Sequence, residues 1–183
     1  MWLLVTVVTV VALVATYLTW LAGRLDRLHG RVEAARASLD AQLVRRAAAA
    51  GELAAYAARS GALPAFEADA LAAAAAAARV AGAADREPVE NDLSRALRAA
   101  LSTLSALGGA GADLEGERDR LLTELDSGST RVVLSRRFYN DAVRDTHALR
   151  ARRVSRWLRL AGHAPPPAYF EIDDTGEVAA TAS

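Results

Sequence analysis

WLLVTVVTVVALVATYLTWLAG, residues 2–23, is followed directly by RLDRLHGRVEAARASLDAQ, residues 24–42. The first stretch holds no charged residue and is long enough to cross a bilayer as a helix. Trp2 and Trp20 stand eighteen residues apart, roughly 27 Å along a helix at ~1.5 Å per residue. That spacing sets an aromatic ring near each face of a ~30 Å hydrocarbon layer. The four threonines of the run can return their hydroxyls to helix carbonyls and so cost little in hydrocarbon. A cleaved signal peptide would need a basic n-region, a shorter apolar stretch and a small-x-small cleavage pattern, and none is present. Arg24, Arg27, Arg31 and Arg36 follow the span closely, with Asp26 and Glu33 among them. The positive-inside rule then expects the N-terminus outside and the body in the cytoplasm, anchored in the cell membrane by a single pass.

Beyond the span the apolar period is helical. Leu25, Leu28, Val32, Ala35 and Leu39 alternate steps of three and four, the pattern of a coiled-coil seam. The same register continues through Gln42, Arg46, Ala49, Leu53 and Tyr56, predicting one helix from the membrane to about residue 59. Ser60-Gly61 ends it, and Pro64 opens the next as a first-turn proline. LAAAAAAARV, residues 71–80, is strongly helical. Gly82 and DREP, 85–88, end the second helix, and a third runs from about Asn91 to Leu107 with Leu93, Leu97, Ala100, Leu101 and Leu104 inward. GGAGAD, 108–113, reads as a loop. A fourth helix runs from Asp113 to about Arg153, with a soft spot at Ser127-Gly128-Ser129. Pro165-Pro166-Pro167 stops regular structure, and the acidic tail after Phe170 is expected to be disordered. The predicted architecture is all-α: one N-terminal transmembrane helix (1–23), an elongated antiparallel, up-and-down four-helix bundle (24–160) and a Pro-containing acidic tail (161–183).

Composition removes several function classes. Lys+Arg and Asp+Glu balance at 22 each, which gives a nucleic-acid partner no support. Cysteine is absent, so disulfides and thiolate metal sites are excluded. His29, His147 and His163 show no paired ligand spacing, and no phosphate-cradling glycine loop follows a strand. No cofactor is expected. Two groups of polar residues stand out. Gln42 and Arg46 interrupt the seam of the first helix. In RRFYNDAV, 136–143, Tyr139 and Asn140 interrupt the fourth, where Val132, Val133, Val143 and Leu149 mark the inward side and Asn140 lies seven residues after Val133. Polar seam residues fix register and must be hydrogen-bonded when buried. Gln42, Arg46, Tyr139 and Asn140 are therefore expected to form one polar layer, whether as internal glue or as the lining of a partner site. Arg150, Arg152, Arg153, Arg156, Trp157 and Arg159, which an up-and-down path returns to the bilayer, form a candidate lipid-facing basic end.

DAQLVRRAAAAGELAAYA at 40–57, ENDLSRAL at 90–97, RRFYNDAV at 136–143 and AYFE at 168–171, behind an N-terminal anchor, resemble in order and spacing the LemA family of bacterial membrane proteins. The resemblance implies an elongated helical bundle on one membrane helix, and it carries over no enzymatic activity. The matching positions are Gln42, Arg45, Arg46, Asn91, Arg137, Tyr139 and Asn140. The chain departs from the family pattern at Gly51-Glu52-Leu53, where a Pro-Asn-Leu stretch is usual, and at Thr146-His147, where a second aromatic and Asn are usual. The sequence thus predicts a membrane-anchored, non-catalytic scaffold or adaptor, in contact with membrane lipid and with a protein partner or a second copy. The competing reading is an accessory or sensory subunit of a membrane enzyme or signalling system, with the polar layer as its binding site.

Overall fold

A computed structural model describes residues 1–107, 112–151 and 166–172. They form four helices: α1 (Trp2–Ser60), α2 (Ala65–Val80), α3 (Arg86–Leu107) and α4 (Ala112–Arg150), with no strand among the described residues. α1 begins with the one stretch among them that is long and apolar enough to cross a membrane. It stays helical through Gly23 and Gly30 to Ser60. There the Ser60 hydroxyl donates to the Tyr56 carbonyl at 2.8 Å and accepts from the Ala62 amide at 3.3 Å. Gly61 turns the chain at φ 68°, the left-handed conformation that glycine reaches without a Cβ penalty. Pro64 is the N-cap of α2, and its carbonyl accepts from the Glu67 and Ala68 amides.

Of DREP only Asp85 lies outside a helix, contrary to the sequence expectation. α3 starts at Arg86, five residues before Asn91, and Pro88 is its third residue. A proline there removes an amide that has no intrahelical partner in any case. α4 is continuous through Ser127-Gly128-Ser129, where a soft spot is expected, and Gly128 is buried.

The structure divides into two compact units. Unit 1 comprises Met1–Arg36 and Phe138–Tyr169; unit 2 comprises Ala37–Arg137 and Phe170–Ser183. In unit 1, Leu21 and Leu149 are buried against each other, with Leu28 packed on them. Arg31 faces Asp145 at 3.8 Å with both side chains more than half exposed, an arrangement worth at most ~1 kcal/mol. Within unit 2 all four helices feed one hydrophobic core. α1 supplies Ala47, Ala50, Leu53, Ala54, Tyr56 and Ala57; α2 supplies Ala68, Leu71, Ala75 and Ala78; α3 supplies Leu93, Leu97, Ala100 and Leu104; α4 supplies Leu121 and Leu125. Alanine predominates because small side chains let helix backbones approach closely, while each buried Leu contributes ~1.5–3 kcal/mol. The buried part of α1 widens along its length. Up to Leu39 it is a narrow stripe of Leu21, Val32 and Leu39; from Leu43 it takes in half of the residues.

A Cβ on Gly51 would stand 3.8 Å from the Ala75 Cβ, and one on Gly128 would stand 3.8 Å from the Arg46 Cα. Both are ordinary contacts inside helices. Gly51→Ala and Gly128→Ala should each raise stability by about 1 kcal/mol, or roughly 2–4 °C in the melting temperature of a chain of this size. Circular dichroism melts of the two variants check this, and a fall in either would show that the helices cannot accept even a methyl group there.

Candidate functional site

Arg46 and Glu90 are charged residues with 0% exposure. Arg46 projects from α1 among alanines, and its Nη2 donates to the Ser94 hydroxyl at 2.6 Å and lies 4.0 Å from Glu90 Oε2. Glu90 Oε1 faces Arg86 Nη1 at 3.9 Å, one helical turn back on α3. The Arg86 Nε in turn lies 3.7 Å from Asp40 Oδ1 on α1, and its Nη1 donates to the Ala78 carbonyl at 2.7 Å. Arg86 thereby satisfies a carbonyl in the last turn of α2, where the helix dipole favours a cation. The network joins α1, α2 and α3, and its described contacts balance: two guanidiniums, Arg46 and Arg86, against two carboxylates, Glu90 and Asp40. Balance matters because an ion taken out of water costs several kcal/mol unless an opposite charge offsets it. Solvent reaches the network at the Arg86–Asp40 end, where the side chains are 11% and 44% exposed. Arg46 and Glu90 cannot meet a solute unless the helices part.

In unit 1, Tyr139 and His147 of α4 bind main chain instead. The Tyr139 hydroxyl donates to the Ala168 carbonyl at 2.8 Å. His147 Nε2 is 2.8 Å from the Pro167 carbonyl, which makes that nitrogen the donor, and the His147 ring packs against Tyr169 with centroids 5.6 Å apart. In unit 2, Arg136 Nη1 donates to the Ile172 carbonyl at 3.2 Å and Glu87 Oε1 accepts from the Glu171 amide at 3.1 Å, while Phe170 and Ile172 are buried. The stretch 166–172 has no regular secondary structure, yet every described contact within it is made by a side chain of α3 or α4. The tail expected to be disordered is therefore held at this stretch, and 173–183 lie outside the described residues. Alternation of Tyr169 and Glu171 with buried Phe170 and Ile172 was the available signal, masked by the proline run beside it.

The four residues of the expected polar layer are thus distributed over both units. Gln42 and Arg46 belong to unit 2; Gln42 is half-buried and its Oε1 is enclosed without a hydrogen-bond partner. Tyr139 and Asn140 belong to unit 1, Tyr139 at 2% exposure and Asn140 half-buried. Arg46 takes its described partners from α3 and Tyr139 from the segment after α4. Sequence reasoning passed over Glu90, Arg86, Asp40 and Ser94. The signal for Glu90 was its position: three residues before Leu93 and seven before Leu97, on the seam of α3. In the basic end, Arg152, Arg153, Arg156, Trp157 and Arg159 lie outside the described residues, as does the side chain of Arg150.

Tyr139→Phe removes one buried hydroxyl and leaves the Ala168 carbonyl without that donor. The expected cost is about 1 kcal/mol, with faster amide hydrogen exchange confined to residues 168–172. Unchanged exchange there would show that Tyr139 does not hold the segment.

Comparisons of the chain with family models, with characterised proteins and with solved structures return no match.

Proposed function

We propose that this chain is a membrane-tethered, non-catalytic helical scaffold or adaptor of the LemA type. Its first twenty residues anchor it in the cell membrane, with the short N-terminus outside and an antiparallel up-and-down bundle in the cytoplasm. The observation that carries the reading is the exposed apolar start of α1. Trp2, Leu3, Leu4, Val5, Val7, Val8, Val10, Val11, Leu13 and Val14 are each at least half exposed, while the same helix continues unbroken into the alanine-rich core of unit 2. Water does not tolerate such a surface, and a bilayer favours it.

Further features support an uncut leader. Thr6, Thr9, Thr16 and Thr19 each donate to the carbonyl four residues back at 2.9 Å, so their hydroxyls are satisfied without water. Leu21 is 2% exposed in a cluster with Leu149, and cleavage near residue 23 would strip that contact away. The LemA resemblance draws support from which of its blocks meet. Asp40 and Arg46 of the first block share the charge network with Glu90 and Ser94 of the second. Tyr139 of the third bonds Ala168 of the fourth. An adaptor role is favoured over a solute-binding one because Arg46 and Tyr139, the most buried of the expected site residues, are engaged in internal contacts.

Crosslinking in intact membranes, followed by identification of the attached proteins, tests the adaptor role. A reproducible protein partner is the expected result; capture of nothing but lipid or the chain itself would leave only a self-contained scaffold. A reporter at the C-terminus tests the orientation, and an external signal would reverse it.

A further inference from the structure

The lower end of the apolar stretch carries an arrangement that neither the anchor nor the core requires. The Arg24 guanidinium carbon lies 5.7 Å from the centroid of the Trp20 ring, four residues back. Tyr17 stacks on the other side of that turn, its ring centroid 6.1 Å from that of Trp20. Arg27 behaves alike: its Nη1 lies 3.7 Å from where a Cβ on Gly23 would stand, again four residues back. Two guanidiniums therefore turn toward the N-terminal, apolar end of the helix and away from the body. Arg24 is exposed, as is Arg27, and among the described residues no carboxylate pairs with either. This sets them apart from Arg31 and Arg144, which face Asp145 and Asp141. Asp26 lies about 160° around the helix from Arg24 and about 100° from Arg27, at ~100° per residue, and so projects from another flank.

From this juxtaposition we infer that Arg24 and Arg27, backed by Trp20, form a binding site for the phosphate of an acidic phospholipid headgroup. Guanidiniums present forked donors that match phosphate oxygens. Side chains three apart on a helix are neighbours at ~5–6 Å, so one phosphate can bridge both. Trp20 is 52% exposed, with its ring at the depth where indoles collect in bilayers and its face holding one arginine in place. Gly23 leaves the Arg27 stem a flat path along the helix. The ligand's acyl chains would lie along Ala15, Thr16 and Thr19, which with Trp20 line a shallow surface depression. The inference rests on the membrane-tether reading and supplies the lipid class for it.

The test uses the full-length chain in detergent, with Trp2→Phe and Trp157→Phe leaving Trp20 as the sole indole. Trp20 fluorescence is followed while short-chain phosphatidylglycerol, short-chain phosphatidylcholine or inorganic phosphate is added. Saturable binding of phosphatidylglycerol is expected, with an affinity loss of about fivefold for Arg24→Gln and about fivefold for Arg27→Gln, the factor that ~1 kcal/mol per basic residue gives. Equal responses to phosphatidylcholine would overturn the site, as would equal responses to inorganic phosphate. Full affinity in an Arg24→Lys, Arg27→Lys variant would also overturn it, since that is diffuse charge attraction. Fractionation of the same variants separates the two readings. All should stay in the membrane pellet; a soluble parent chain defeats the tether, whereas unchanged lipid affinity in the glutamine variants defeats the site alone.

Discussion

Arg46→Met should destabilise the fold by about 3–5 kcal/mol, because it leaves a buried carboxylate short of its counter-charge. The charge count makes this sharp. With Arg46 gone, Arg86 is the described cation left facing Glu90 and Asp40, and the described network carries a net charge of one, with Glu90 wholly buried. Glu90→Leu errs the other way, leaving Arg46 and Arg86 against Asp40. The double variant Arg46→Met, Glu90→Leu restores balance: Arg86 keeps Asp40 at 3.7 Å and its bond to the Ala78 carbonyl. It should recover most of the loss, since well-packed apolar replacements of a buried pair are often neutral or better. Urea unfolding of the two single variants and the double measures the coupling directly. A double variant as unstable as the worse single would mean that the pair is not a closed unit, and the electrical argument would fail.

The second large effect concerns the span. Val10→Arg with Leu13→Arg places two cations at the middle of residues 2–23, on positions 52% and 66% exposed. A central arginine costs ~2.5–3.5 kcal/mol on the insertion scale, so two together should shift the chain from the membrane pellet to the soluble or degraded fraction. Val44→Arg, on an exposed position of the body, should leave partition untouched. A doubly substituted chain that still pelleted with membrane in high salt and carbonate would place the anchor outside α1.

These expectations show how unevenly the sequence disclosed the molecule. The helices were legible because apolar residues at steps of three and four can be read along a line, and because Gly61 and Pro64 are local punctuation. The start of α3 was missed since Pro88 looks like a terminator, although in a first turn it removes nothing. Val132 and Val133 both read as inward in α4, and Asn140 is placed by counting from Val133, which is only half-buried. The fully buried line passes through Val132, seven residues on to Tyr139 and seven more to Thr146, all at 2% or less. That difference of one residue, ~100° on a helix, exchanges Tyr139 for Asn140 as the inward group. Glu90 escaped notice because a carboxylate in a helix usually marks the solvent side; only the arginines of other elements make it tolerable, and such pairings are invisible in a linear string.

The threonines of the apolar stretch have a bearing on neighbours. Each hydroxyl already donates to its own helix, so within hydrocarbon these threonines offer an adjacent protein no free donor to recognise. Lateral association there would be governed by contour and by close approach at small side chains. A companion helix would thus be chosen for how it fits, and the choice would vary with bilayer thickness and lipid packing more than with its polar chemistry.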